Sequence, residues 1–154
     1  MQEEESHVKV LFRYYSNILE EETVETMWAL PVDTANGLYR LDSIPFYGPD
    51  IAPDDVFYAE YDKDEEMLTF REVKQRSGNS VIQVVLMQEP YGTTELREQL
   101  SAFGCISEGL NERYFVMEVP AAVDYEPVRS LLRKLMDEGR IEYAEAVLSF
   151  KHAS

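Results

Sequence analysis

The sequence predicts an α+β protein: a small N-terminal β-barrel or curled antiparallel sheet, joined to a C-terminal ferredoxin-like βαββαβ subdomain. Three observations predict it. Over residues 8–86, short runs of alternating apolar and polar side chains are separated by turn residues, as in a curled sheet of many short strands. After residue 86, two helix-length segments with apolar stripes appear between strand-like runs. Counted from Val81, these elements read β-α-β-β-α-β, the order of the split βαβ arrangement. The expected subdomains are residues 1–80 and 81–154.

The elements follow in order. Val8, Val10, Phe12 and Tyr14 alternate with Lys9, Leu11 and Arg13, as a half-buried strand requires. Val24 to Val32 is a second strand, with Pro31 marking an edge or an end. Asn36-Gly37 is turn chemistry, because both residues tolerate positive φ. Leu38 to Leu41 is a short strand, and Ile44 to Pro49 a loop with aromatic contacts. Val56–Tyr61, Leu68–Val73 and Val81–Leu86 complete the β-rich part. Thr93 is placed to cap a helix with Glu95 at its positive end, with Leu96, Leu100 and Phe103 on one face and Gly104 ending it. Cys105–Glu108 and Arg113–Val119 read as strands around a hairpin turn. Asp124 caps a second helix, whose apolar stripe is Val128, Leu131, Leu132, Leu135 and Met136. Arg129, Arg133 and Lys134 face mostly away from that stripe, Gly139 closes the helix, and Ile141–Phe150 is the last strand.

Thirty acidic residues stand against fourteen basic ones, a formal net charge of -16 over 154 residues. Residues 1–86 hold 18 acidic and seven basic residues; residues 87–154 hold 12 and seven. Such a surplus repels nucleic acid and anionic membrane and steers the chain toward cationic partners. No apolar run approaches the ~20 residues that span a bilayer. The N-terminus lacks the basic-then-apolar order of a signal peptide, and a lone cysteine forms no internal disulfide, so the expected location is cytoplasmic.

Chemistry-bearing patterns are sparse. Cys105 needs a base to become a nucleophile, and His7 and His152 both lie near a terminus. Asp50 with Asp54 and Asp55, or Asp62 with Asp64 and Glu65, could collect a divalent cation; the second set begins like Asp-x-Asp but lacks the glycine and distal glutamate of a calcium loop, so both read as charged turns. No phosphate loop or nucleophile elbow is present, so no catalytic residue, metal or cofactor is assigned. The acidic runs Glu3–Glu5, Glu20–Glu22 and Asp62–Glu66 read either as solvated loop tips or as a docking face. Trp28, Tyr39, Phe46 and Tyr47 read as barrel core or as interface anchors.

Glu25-Thr-Met-Trp-Ala-Leu-Pro-Val32, Gly37 to Tyr47, Asp54 to Ala59 and Ser77-Gly-Asn-Ser80 carry a resemblance. In order and spacing, residues 8–86 are similar to the bacterial family called domain of unknown function 4265. That family often has glycine before the Asp-Val pair, where this chain has Asp54. The resemblance implies kinship with small accessory proteins and no activity.

The expected function is that of a non-enzymatic protein-binding protein, most concretely an acidic immunity protein or antitoxin-like inhibitor. Its partner would be a basic protein such as a toxin nuclease domain, not nucleic acid or membrane. Expected partner contacts are Glu20, Glu21, Glu22, Asp62, Asp64, Glu65 and Glu66, with Phe46 and Tyr47 as apolar anchors. The alternative is a small-molecule-sensing or regulatory domain.

Overall fold

The computed structural model describes residues 6–16 and 19–153; the acidic run Glu3–Glu5 lies outside them. The protein is mixed α+β, with one five-stranded sheet, one four-stranded sheet and two α-helices among the described residues. It divides into two compact units, Met1–Ser77 and Gly78–Ser154.

The first unit contains β1 (Val8–Ser16), β2 (Glu21–Asp33), β3 (Leu38–Leu41), β4 (Val56–Asp62) and β5 (Met67–Gln75). Consecutive strands pair antiparallel, and a parallel bridge between Leu11 of β1 and Thr69 of β5 closes the sheet into a ring. The period-2 pleat explains what fills it. Val10 and Phe12 of β1, Met27 and Ala29 of β2, and Phe57 and Ala59 of β4 point inward and are buried. Phe12 stacks on Phe70 at 4.9 Å between ring centroids, and Phe57 tilts against both, at 5.5 Å from Phe12 and 5.7 Å from Phe70. Fully burying side chains such as Phe12 and Phe57 contributes about 2–3 kcal/mol each before entropy is counted.

Strand β2 is longer than its apolar run suggests. Its pairing with β1 continues to Ser16 opposite Glu21, so Glu21 and Glu22 belong to a strand and only Glu20 to the turn. Pro31 sits where β1 no longer pairs with β2, and the register against β3 shifts between Pro31 and Asp33; a missing N–H is tolerated there. Between β2 and β3, one 3-10 turn (Thr34–Asn36) ends at Gly37, with φ 73°. A Cβ at Gly37 would lie 2.6 Å from the Tyr58 ring, so both backbone and packing require glycine.

The second unit contains β6 (Ser80–Leu86), α1 (Thr94–Ser101), β7 (Ile106–Gly109), β8 (Tyr114–Val119), α2 (Tyr125–Asp137) and β9 (Ile141–Val147). The strands lie in the order β7-β8-β6-β9, and every neighbouring pair is antiparallel. Ile82 and Val84 of β6, Phe115 and Met117 of β8, and Ile141 of β9 form a core with helix residues. Leu100 supplies α1; Val128, Leu132 and Leu135, spaced i, i+4, i+7, supply α2. The Asp124 carboxylate accepts from Glu126 N and caps α2.

Four details differ from the sequence expectation. Thr93 makes no side-chain cap bond at α1. Phe103 falls beyond that short helix and is exposed. Arg129 is buried rather than turned away, because the stripe of α2 is wide enough to carry it under the sheet edge beside Glu145. The last strand stops at Val147, because Ser149 N turns to donate to Ser80 Oγ and residues 149–152 form a turn. Among the described residues no helix is long and apolar enough to cross a membrane.

Candidate functional site

The two acidic tips of the first unit come together around Arg13. Its guanidinium donates to Glu65 Oε2 through Nε at 3.0 Å and Nη2 at 2.6 Å. Glu65 foremost, then Glu22 and Asp62, hold the Arg13 pKa above its ordinary value. Carboxylates some 40 residues apart in sequence thus share one cation. Arg13 points outward because it stands one step out of phase with Phe12. Val24 is directly opposite it, and Tyr15 is opposite Glu22; both apolar side chains are exposed, at 46% and 58%.

The nine expected contacts divide by what they already do. Asp62 builds the β4–β5 tip: its Oδ1 accepts from Asp64 N at 2.8 Å and Glu65 N at 3.1 Å. Its Oδ2 accepts from Arg71, which also reaches Glu60. Arg71 is the leading cause that holds both carboxyls below their ordinary range. Glu65 is taken by Arg13. Glu20, Glu21, Glu22, Asp64 and Glu66 remain exposed, and none of these side chains makes a hydrogen bond or a close ion pair among the described residues. Glu20 and Glu66 take φ 58° and 59° and close their tips by donating to Ser16 O and Asp62 O. A left-handed non-glycine residue costs on the order of 1 kcal/mol.

Phe46 and Tyr47 are half-buried rather than projecting anchors. The Glu25 carboxylate accepts from Phe46 N at 2.8 Å, Tyr47 N at 3.4 Å and Tyr14 Oη at 2.6 Å, tying the loop to β1 and β2. Trp28, read in the sequence as barrel core or interface anchor, is on the outer face and 49% exposed. Lys9, opposite it on β1, places its ammonium 5.2 Å from the Trp28 ring, and His7 meets that ring edge-on. His7 Nε2 is 2.5 Å from Asp42 Oδ2.

The other candidates have structural partners. Asp55 is buried and accepts from Ser77 N, Ala52 N and Arg76; Asp50 also pairs with Arg76, and Asp54 with Arg40. No group of three His, Cys, Asp or Glu among the described residues is placed to hold a metal ion. Asp54 takes φ 70°, which explains why glycine suits that position. Cys105 is buried in the second unit's core, and burial pushes its thiol up to about 11, away from the thiolate. His152 is no base for it. Its Nε2 faces Pro120 O at 3.1 Å and so carries a hydrogen, while Nδ1 meets Ser80 Oγ at 2.7 Å. Ser80 is fully buried, so this Ser-His pair fastens the residue 149–152 turn to β6.

Arg129 completes that buried network: it donates to His152 O, lies 3.5 Å from Glu145 and stacks over Tyr125. The Tyr125 hydroxyl donates to Glu145, and burial first, then that bond, raises its pKa strongly. The basic cluster of α2 is therefore dispersed, with Arg129 buried and Arg140 paired to Glu138. Glu25, Arg13 and Tyr15 were missed in the sequence. Glu25 had a readable signal: it is the one acid within the run Val24–Val32, and it stands on the inward phase shared by Met27 and Ala29.

Fold and site together define a two-unit α+β protein whose first unit gathers acidic side chains on its outer surface. The chain belongs to the family described as Domain of unknown function (DUF4265), which matches residues 25–143. The match runs through both units, well past residue 86, where the sequence resemblance had been placed. No curated protein matches the sequence. One similar solved structure is described as "Novel crystal structure of a hypothetical protein from Neisseria gonorrhoeae". It is 20% identical, with a TM-score of 0.81, over 96% of this chain and 99% of that one. At that identity the likeness shows the fold alone.

Proposed function

We propose that the protein is a non-enzymatic binding protein whose first unit docks on a basic protein partner. In its most concrete form it is a cytoplasmic bacterial immunity protein or antitoxin-like inhibitor that covers the cationic cleft of a toxin nuclease domain. The observation that carries this reading is the convergence of Glu22, Asp62 and Glu65 on Arg13, beside exposed Tyr15 and Val24. Clustered carboxylates beside exposed Tyr15 and Val24 suit a partner that presents cations around an apolar contact. Complementary potential raises association rate and specificity more than affinity. Glu20, Glu21, Glu22, Asp64 and Glu66 supply the field; Tyr15 and Val24 replace Phe46 and Tyr47 as anchors.

The same reading takes the ring as a small five-stranded barrel and the second unit as a ferredoxin-like sandwich. Support comes from the β1–β5 closure and from the sheet order β7-β8-β6-β9. The test is affinity capture from lysate of the source organism, at low and high salt. A stoichiometric basic partner held at low salt and released at high salt is the expected result. A partner indifferent to salt, or none at either, removes the electrostatic docking model.

A further inference from the structure

The second unit has an open cleft of about 420 Å³ between α1 and α2, within the size range of small-molecule sites. Its floor is apolar and includes Leu96 and Leu131. Its rim carries both signs of charge: Glu89 and Glu95 on the α1 side, Lys134 and Arg140 on the α2 side. Oppositely charged side chains around one small opening would be expected to pair. Here no ion pair crosses it: Arg140 lies 3.6 Å from Glu138, and Lys134, Glu89 and Glu95 have no ion pair at all among the described residues.

The walls are fixed. Lys134 is one turn beyond Leu131 on a well-packed helix, so the cation stands above the floor. Arg140 is held by its N–H to Leu135 O and by Met87 N to its carbonyl. Glu95 adjoins Leu96 in the first turn of α1.

We infer that this cleft binds a small zwitterion with an apolar body, in the size range from an apolar α-amino acid to a dipeptide. The ammonium is recognised by Glu89 and Glu95, the carboxylate by Lys134 and Arg140, and the apolar body lies on Leu96 and Leu131. Charge-assisted bonds at both ends favour ligands with both ends free, because blocking either end removes one of the two charge pairs with these exposed side chains. This site is in the second unit and does not depend on the acidic face of the first.

The test is thermal unfolding of the full chain with L-leucine, L-phenylalanine and leucyl-leucine. Each is paired with its N-acetyl and its C-terminal amide form, and calorimetry gives Kd for any ligand that shifts the transition. A ligand that binds only the folded state raises the melting temperature with concentration. At least one zwitterion should do so, and both blocked forms should fail. Leu131→Trp, which fills the cleft, should abolish the shift. Glu95→Gln and Lys134→Met should each weaken binding about tenfold or more while lowering the unliganded melting temperature only slightly, since neither side chain is in an ion pair and each acts only on its own helix end. The inference is overturned by no shift with any of the three up to about 10 mM. It is also overturned if blocked forms shift the transition equally, or if binding survives both Glu95→Gln and Lys134→Met.

Discussion

The two units treat charge in opposite ways. In the first, the core is an aromatic cluster and most charged side chains are on the outside, where Arg13, Arg71 and Arg76 hold carboxylates in surface pairs. In the second, Arg129, Glu145, Tyr125, His152 and Ser80 form a network inside, which fixes the end of the chain to the sheet. Exposed pairs contribute little to stability and leave a field for a partner to read. A buried network contributes stability and is hidden from partners. This contrast is the reason the proposed docking face is put on the first unit, even though the second carries the α2 arginines that look prominent in the sequence.

The largest expected effect concerns what the units share. Phe57→Ala should destabilise the first unit by about 4 kcal/mol, because it opens a cavity against Phe12 and Phe70. Phe115→Ala should cost a similar amount in the second, both read from urea unfolding. The next effect separates the units. Arg129→Met should lower stability by about 2 kcal/mol, since Glu145 and His152 O lose a charged donor. Arg13→Met should leave the unfolding midpoint in place. Equal losses for the two would break the comparison.

Glu25→Gln should cost about 1 kcal/mol and speed hydrogen exchange at the Phe46 amide, sharpening the assignment of Glu25 as a loop clamp. The smallest effect is in pH. Arg71 holds Glu60 and Asp62 below the ordinary carboxylate range, so unfolding must raise their pKa values. Their contribution is present above the ordinary range and is lost as pH falls through the lower, folded values. The fall in melting temperature between neutral and acid pH should therefore be shallower in Arg71→Gln than in the native protein.

Much of the fold was legible because period-2 and period-3.6 patterns survive in single elements. β3 and α2 are where their apolar spacing and caps put them. Where the sequence misled, tertiary geometry decided. Trp28 was left between barrel core and interface anchor because hydrophobicity alone does not say which face it takes; the pleat turns it out opposite Lys9. Glu21 and Glu22 looked like a loop because they are charged, yet β1 extends far enough to pair with them. The acidic tips could be named from composition, but not their meeting point, since the β1–β5 closure and the Arg13 bridge are long-range contacts. Phe46 and Tyr47 were chosen for exposure, whereas the fold half-buries them and Glu25 ties their backbone to the sheet.

The docking face is tested most directly by reversing charges that do no structural work. Asp62 and Glu65 are left intact, because they build the tip and hold Arg13. The quadruple variant Glu20→Lys, Glu21→Lys, Asp64→Lys and Glu66→Lys, with Glu22 also kept because it acts on Arg13, is compared with the native protein for association rate with the captured partner across ionic strength. The account predicts association slowed by about tenfold or more at low salt, a flattened salt dependence and an unchanged melting temperature. A native association rate in the quadruple variant would contradict it.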